Sequence, residues 1–587
     1  MQQELEEAVA AAIKQVYGLD VVVELTRPEP QFGDYATNVA LQLGKQLGKN
    51  PREIGEDLRQ RLVSDGQLAS VTVAGPGFLN LRLTDSALLS SLDGNLPKPL
   101  VGQTVVTEYS DPNPFKVLHA GHFYTSVVGD AISNLLGNAG ARVHRVNFGG
   151  DVGLHVGKTI WAIVRDLGGE LPEKLAEIPD SERSEWMARC YVVGTNAYED
   201  DKTAKAEIIA ANKRVYALHA DADHDTPFAQ IYWTCRQWSY DYFDAFYARI
   251  GSGFERYYPE SQTAPVGLAA VKEQLSRGVF SESDGAVVFV GEPYGLHTRV
   301  FINSEGLPTY EAKDVGLSLK KWDDYHFDQS VIITGNDIVE YMKVVLKAIE
   351  QFEPNLAQRT RHITHGNVKL AGGVKMSSRK GNFLRAVDVI EAAAAANRET
   401  TGQESESTVL AAIKYSFLKS RIGADIIFDP AESVSIVGNS GPYLQYAHAR
   451  ARSILSKAQN AIPVRSAGAG RSQAEEGRLM ASETTLSPEE GLALPQSNEN
   501  DLQPDERILV RKLSEYSEVI EKATHELMPH HICTYLYELA QEFNRFYEKN
   551  RVLGDERESL RIWLAQRYAA TLKEGLELLG ISAPERM

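Results

Sequence analysis

Between residues 104 and 149 the chain reads TVVTEY, then HAGHFYTSVVGDAISNLLG, then ARVHRVNF. An apolar run, a helical stretch and a second apolar run in that order form a βαβ unit. Its right-handed crossover makes the two strands parallel, and parallel strands need helices on both faces of the sheet. Open sheets of this kind bind ligands beyond the carboxyl ends of their strands. A further strand-like run, SVIITG at 330–335, precedes the helical IVEYMKVVLKAIEQF at 338–352 and belongs to the same sheet. Residues 158–300 carry helices and strands of their own, and the spacing predicts that they are inserted between two halves of the sheet domain.

The flanks differ from this centre. A chain of 587 residues is long enough for about four structural units. Residues 1–100 read as a small α/β unit with a helical start. FGDYATNVALQLGKQ has apolar residues at helical spacing, and strand-like runs at 71–73 and 78–81 flank Gly75-Pro76-Gly77. DGNLPKPLVG then reads as a linker. Beyond 400 the pattern is almost wholly helical. Leu509, Leu513, Tyr516 and Ile520 share one helical face, as do Ile532, Leu536, Leu539 and Phe543, and Gly580 is a stop signal. Residues 461–506 contain no aromatic and are rich in Ser, Gly, Ala, Gln and Glu, so a flexible insertion is predicted there. The expected architecture is α/β: a Rossmann-like parallel-sheet domain at 101–400, a small α/β domain at 1–100 and an all-α bundle at 401–587.

Composition narrows the class. Apolar residues make up 43% and charged residues 24%, which excludes a disordered, collagenous or disulfide-scaffold chain. A net charge of −18 argues against a generally cationic surface but leaves room for a local basic groove. Cys190, Cys235 and Cys533 lie too far apart for a zinc spacing, and their sparse, odd number suits a reducing compartment. No signal peptide and no run of membrane-spanning length is found, so a soluble cytoplasmic protein with no membrane partner is expected.

Two segments carry the chemistry. In DPNPFKVLHAGH (111–122), His119 and His122 lie three apart and face one side of a first helical turn. Backbone N–H groups and the helix dipole point the same way, so the turn suits polyphosphate, and Ala120 and Gly121 allow close approach. A helix cap with two surface histidines is the alternative. In GGVKMSSRKGN (372–382), glycines bracket Lys375, Arg379 and Lys380, with Ser377 and Ser378 as hydroxyl donors. A flexible cationic loop closes over phosphates and stabilises charge on departing pyrophosphate, although a basic loop alone is also what a solvated surface looks like.

Together, HxGH after the first strand and KMSxR after the last resemble the two signatures of class I aminoacyl-tRNA synthetases. GLPTYEAKDVGL places Tyr310 and Asp314 on one helical face, where a phenol and a carboxylate can receive a guanidinium, although an ordinary helix-surface pair has the same spacing. That string, FGDYATN, GNSGPYLQYAHARARSIL at 438–455 and the terminal PERM resemble the arginyl-tRNA synthetase family over nearly the whole chain outside 461–506.

The resemblance implies an arginine–tRNA ligase that uses ATP, with Mg2+ as its companion and no protein-bound metal, and that acts on arginine and tRNA(Arg) as a monomer. It implies that arginine activation needs tRNA. Catalysis would fall to Lys116, His119, His122, Lys375 and Arg379. Arginine would be bound by Glu108, Asn113, Tyr310 and Asp314, and ATP by His119, Gly121, His122, Gly149, Asp151, Met376, Ser377 and Ser378. The N-terminal unit would touch the tRNA elbow through Phe78 and Asn80. The C-terminal bundle would meet anticodon bases with Tyr535, Tyr547 and Met587, the two tyrosines competing with ordinary core roles. Two departures stand out. Asp111 replaces a common Ser, and Ile338 replaces a Gln that contacts the substrate's amino group in the family. Asn336, Asp337 or Glu340 would have to supply that contact, unless the register there is shifted. A class I synthetase for another amino acid and a non-catalytic tRNA-binding paralogue are the competing readings.

Overall fold

The computed structural model describes residues 1–62, 66–94, 96–371, 384–402, 404–461 and 501–587. At its centre five strands run parallel in the order Thr360–His365, Gln329–Gly335, Thr104–Glu108, Arg142–Gly149, Arg256–Pro259. From Thr104–Glu108 the chain first builds outward to one side, then returns to build the other. The strand order therefore reverses between Thr104–Glu108 and Gln329–Gly335, and a crevice opens at their carboxyl ends. The strand Arg256–Pro259 corrects the reading of 158–300 as inserted material. It pairs with Arg142–Gly149 and forms one edge of the sheet itself.

The helix Ala120–Asn138 is apolar almost all round, with Phe123, Tyr124, Val127, Val128, Ile132 and Leu135 buried. A helix with no polar face must be covered on every side. Here it lies between the sheet and the helices Ala386–Thr401, Glu406–Leu418, Tyr516–Glu526 and Glu558–Leu578. A short ladder pairs Val368–Leu370 with Ile426–Phe428, so the chain beyond 400 is still tied to the sheet domain at 428.

In the N-terminal unit the helices Gln2–Tyr17, Val39–Leu47 and Pro51–Leu62 accompany a three-stranded antiparallel sheet. FGDYATN differs from expectation. Tyr35–Thr37 is a strand on Phe78–Leu83, and the helix begins only at Val39. Gly33 explains the abrupt entry, since its φ is 133° and a Cβ there would lie 2.7 Å from the Leu81 carbonyl oxygen. In the C-terminal bundle the face formed by Leu509, Leu513, Tyr516 and Ile520 is buried, but it spans two helices, Pro504–Ser514 and Tyr516–Glu526. The predicted insertion ends earlier than 506. Glu506 is fully buried in the first of these helices, paired with Arg557 at 2.6 Å and Arg561 at 3.0 Å. Residues 462–500 lie outside the described residues. All three cysteines are buried and unpaired, and no described helix is long and apolar enough to cross a membrane.

Candidate active site

The segment leaving Thr104–Glu108 is bent sharply before it reaches the histidines. Ser110, Asp111 and Phe115 all adopt positive φ, at 74°, 50° and 67°. Side chains from the helix Pro227–Ile250 hold these disfavoured conformations in place. Ser110 Oγ lies 2.8 Å from the Tyr247 hydroxyl, and the Phe115 amide donates to Ser239 Oγ at 2.9 Å. The neighbouring strand end supplies two further clasps at 2.8 Å: Phe148 N–H to Asp111 Oδ1 and Gly150 N–H to Asn113 Oδ1. Glycine is needed there. A Cβ on Gly149 would meet the Pro112 carbonyl oxygen at 2.7 Å, and one on Gly150 would meet Asn113 Oδ1 at 2.6 Å.

His119 caps the helix Ala120–Asn138 and does so reciprocally with His122. His122 N–H donates to His119 Nδ1 at 3.3 Å, and His119 N–H donates to His122 Nδ1 at 3.2 Å. The rings stack with centroids 3.7 Å apart. Burial, with Lys116 adding positive charge nearby, lowers His119 to about 4 and holds His122 well below its ordinary value. Both rings are therefore neutral at pH 7. With Nδ1 accepting, the ring proton sits on Nε2, and each histidine is an Nε2–H donor. Gly121 makes room for this, because a Cβ there would lie 2.8 Å from the His119 ring. Lys116 stands over the Tyr191 ring at 4.4 Å.

Lys375, Met376, Ser377, Ser378 and Arg379 lie outside the described residues. The described flank that follows them is stitched to the histidine turn. Ala120 N–H donates to the Leu384 carbonyl at 2.8 Å and Ala386 N–H to the Leu118 carbonyl at 2.9 Å, with Arg385 bridged to His119.

The helix Tyr310–Tyr325 supplies the pocket. Tyr310 is 53% exposed at its first turn. One turn on, Asp314 Oδ2 accepts the hydroxyl of Tyr341. Burial lifts the Asp314 carboxyl to about 8; the Tyr341 hydroxyl opposes this and the charge of Glu108 adds to it. Sequence reasoning missed Tyr341, which lies 27 residues from Asp314 on the helix Val339–Glu350. Only its position three after Ile338 pointed to the same face. Glu108 is placed differently from a direct substrate contact. Its buried carboxylate is held by Lys321, and it acts on the pocket through its charge. Of the candidates to replace the Gln at Ile338, Glu340 is exposed and paired with Lys343 at 2.6 Å, while the charge of Asp337 acts on His119.

Two further expectations, at Asp151 and Tyr535, are corrected by burial. Asp151 is 0% exposed; it accepts from Ser261 N–H at 2.8 Å, Ser261 Oγ at 2.7 Å and Arg236 at 3.0 Å. It ties the strand end to neighbouring helices and does not face a nucleotide. Tyr535 is buried with its hydroxyl on the Lys512 carbonyl at 3.1 Å, so it offers no ring face to a base. Asn80 is buried in the middle strand of its sheet, between Ala36 and Thr72. Phe78 and Met587 are exposed, and Tyr547 is half-buried beneath Arg450 at 4.9 Å. Among the described residues no three His, Cys, Asp or Glu side chains gather as a metal cage.

A parallel sheet with this histidine turn at its switch point, and with KMSSR in the segment whose far flank joins that turn, defines a class I aminoacyl-tRNA synthetase. Family models match along the chain: the arginyl tRNA synthetase N terminal domain over residues 3–83, the class I (R) tRNA synthetase catalytic domain over 86–429, and the DALR anticodon binding domain over 444–587. The chain belongs to the arginyl-tRNA synthetase family. It is 29% identical to an arginine–tRNA ligase of Porphyromonas gingivalis, covering 100% of this chain and 99% of that protein. It is 28% identical to the arginine–tRNA ligase of Treponema denticola, covering 96% and 94%. Among solved structures, Thermus thermophilus arginyl-tRNA synthetase superposes with a TM-score of 0.76 at 25% identity over 100% of both chains. The Plasmodium falciparum enzyme gives 0.77 at 20% identity over 100% and 99%.

Proposed function

We propose that this chain ligates arginine to tRNA(Arg) in two steps, acting as a monomer in the cytoplasm. An oxygen of the arginine carboxylate attacks the α-phosphorus of ATP, forming arginyl-adenylate and releasing pyrophosphate. The 2′-hydroxyl of the tRNA's terminal adenosine then attacks the arginyl carbonyl, and AMP leaves. No side chain becomes a covalent nucleophile. Catalysis comes from alignment and from stabilising charge on the phosphates. His119 and His122 donate Nε2–H to the triphosphate, with Lys116, Lys375 and Arg379 supplying positive charge. Mg2+ accompanies ATP through the phosphate oxygens. Asn113 and Tyr310 frame the arginine, and Asp314 receives its guanidinium. Phe78, Tyr547 and Met587 contact the tRNA. Activation of arginine waits for bound tRNA.

The observation that carries this reading is the acidic, half-enclosed Asp314–Tyr341 pair in the sheet domain whose switch point bears the neutral histidine donors. A planar fork of donors satisfies both pocket groups, which the shorter ammonium of lysine cannot do. The test is charging of total tRNA with each labelled amino acid in turn, with and without ATP. Arginine alone, and only with ATP, is the expected result. Charging of another amino acid in its place, or of none, overturns it.

A further inference from the structure

After the helix Glu558–Leu578 the chain forms neither helix nor strand. Gly580, at φ 67°, turns it, and Ile581 is buried; from Ser582 to Met587 the side chains are half-buried or exposed. Apolar burial therefore does not hold residues 582–587 in place. Side-chain donors do so instead. Lys414 Nζ donates to the Gly580 carbonyl at 2.6 Å, Gln445 Nε2 to the Ser582 carbonyl at 2.9 Å, and His448 Nδ1–H to the Pro584 carbonyl at 2.9 Å. These are alternate carbonyls, so one row of donors runs along the segment. Gln445, His448 and Arg452 share one face of the helix Gly441–Ala461, and Arg452 adds an ion pair to Glu585 at 2.5 Å.

Such donors are costly to place. Lys414 is 5% exposed, Gln445 0% and His448 1%. Each is a polar group taken out of water, and all three are committed to one irregular segment. A segment that only covered the bundle could be docked by apolar side chains at no such cost. What the row of contacts delivers is Met587, 56% exposed and two residues beyond the ion pair. Its thioether is soft and polarisable and suits the face of a ring, that of an unpaired base included. We propose that Lys414, Gln445 and His448 form a cradle that fixes where Met587 meets an unpaired base of tRNA, with His448 the positioning residue nearest to it. This rests on the reading that Met587 contacts tRNA. The three donors do not touch the nucleic acid themselves; they act through the main chain of residues 580–584.

The test follows charging of purified tRNA(Arg) by the full chain, with the KM for tRNA and the KM for arginine read separately. Met587→Ala should raise the tRNA KM by ~5-fold or more, the loss expected for one base contact. His448→Ala should raise it by a similar factor while leaving the arginine KM within about twofold. In the double variant the two effects should not multiply. The tRNA KM should stay within about twofold of the larger single effect, because both changes remove the same contact. His448→Asn, whose amide can donate to the Pro584 carbonyl, should bring the tRNA KM back to within about threefold of wild type. Multiplying effects in the double variant would overturn the proposal. So would a tRNA KM unmoved by His448→Ala, or an arginine KM that rises in step with it. If His448→Ala does not fold, Gln445→Met removes another anchor at similar volume and carries the same cycle with Met587→Ala. A tRNA KM unmoved by Met587→Ala removes the Met587 contact, and a wild-type chain that charges no arginine removes the proposed function; either takes this inference with it. A raised tRNA KM in Met587→Ala without the coupling to His448 removes this inference alone.

Discussion

The hydroxyl of Tyr341 is donated to Oδ2 of Asp314, joining the helix Val339–Glu350 to the helix Tyr310–Tyr325 at the acidic end of the cleft. A donor on a carboxylate favours its charged form, and here it works against burial. Tyr341→Phe should therefore raise the Asp314 carboxyl further and leave it less well oriented. The arginine KM is expected to rise about tenfold at pH 8, equivalent to roughly 1.4 kcal/mol, with the KM for ATP within twofold. Steady-state charging kinetics read both constants. A parallel rise in the two would mean that Tyr341 supports the fold and not the pocket.

Asp314 also sets a pH dependence. With its carboxyl near 8, the free pocket is mostly protonated at pH 7, while a bound guanidinium requires the carboxylate. Arginine must then expel a proton. The value of kcat/KM for arginine should climb with pH by up to about tenfold per unit and level off above pH 8. Asp314→Asn should abolish that limb along with most of the activity. Stability follows the opposite sign. The folded value lies above the ordinary 3.8, so this group's contribution is complete below pH 3.8 and is lost as pH rises through 8. Thermal unfolding of the arginine-free protein at pH 8.5 should show Asp314→Asn melting a few degrees higher than wild type, at ~2–4 °C per kcal/mol.

Such pairings mark the limit of what the sequence makes legible. The strands and helices around the histidine turn follow from local periodicity, and the HxxH spacing alone puts both rings on one helical turn. Tyr341 and Asp314 meet only because two helices pack side by side, which no local pattern encodes. The same holds for Asp151, whose partner Arg236 lies 85 residues away. Tyr35 sits in a helical-looking run yet pairs in a strand with Leu81, because sheet partners outweigh local spacing. Tyr535 shows the converse. An aromatic that suits base stacking is claimed by the core, where its hydroxyl finds a backbone carbonyl.

The histidine pair separates capping from catalysis. His119→Asn keeps a side-chain acceptor for the His122 amide but has no Nε2–H, so stability should hold within about 0.5 kcal/mol. The first step should slow by about 10²–10³-fold, the loss expected for one preorganised donor to developing charge. His119→Ala should show the same rate loss and an added destabilisation of about 1 kcal/mol. Because the His119 value is depressed to about 4, its stability contribution is present above pH 6.5 and is lost as pH falls toward 4. The rate of the first step should show no break at 6.5 from these rings. Pyrophosphate exchange with tRNA present, followed across pH, checks both points.

Away from the cleft, Arg507 fastens the N-terminal unit to the C-terminal bundle. Its guanidinium reaches Asp34 at 2.6 Å and the Leu83 carbonyl at 3.1 Å, and it also pairs with Asp85. Arg27 makes the reverse contact, from the N-terminal unit to Glu518 at 2.6 Å. Asp34 is almost wholly buried, and its other cation, Arg511, stands off at 3.6 Å. Arg507→Ala should therefore strand a buried carboxylate, a change that costs about 3–5 kcal/mol when a buried pair loses one partner. Replacing both members, Asp34→Asn with Arg507→Met, should recover part of that loss, because the buried Asp34 charge is removed with its partner and only the more exposed Asp85 loses an ion pair. None of these side chains reaches the Asp314–Tyr341 pair, so the arginine KM of either variant should stay within twofold of wild type. The tRNA KM should rise in Arg507→Ala if the N-terminal unit meets tRNA as proposed, because that unit no longer holds a fixed position relative to the bundle. Thermal unfolding, read with the two Michaelis constants, decides the matter: a shifted arginine KM with unchanged melting would place Arg507 in the cleft's own machinery and contradict its role as a clasp.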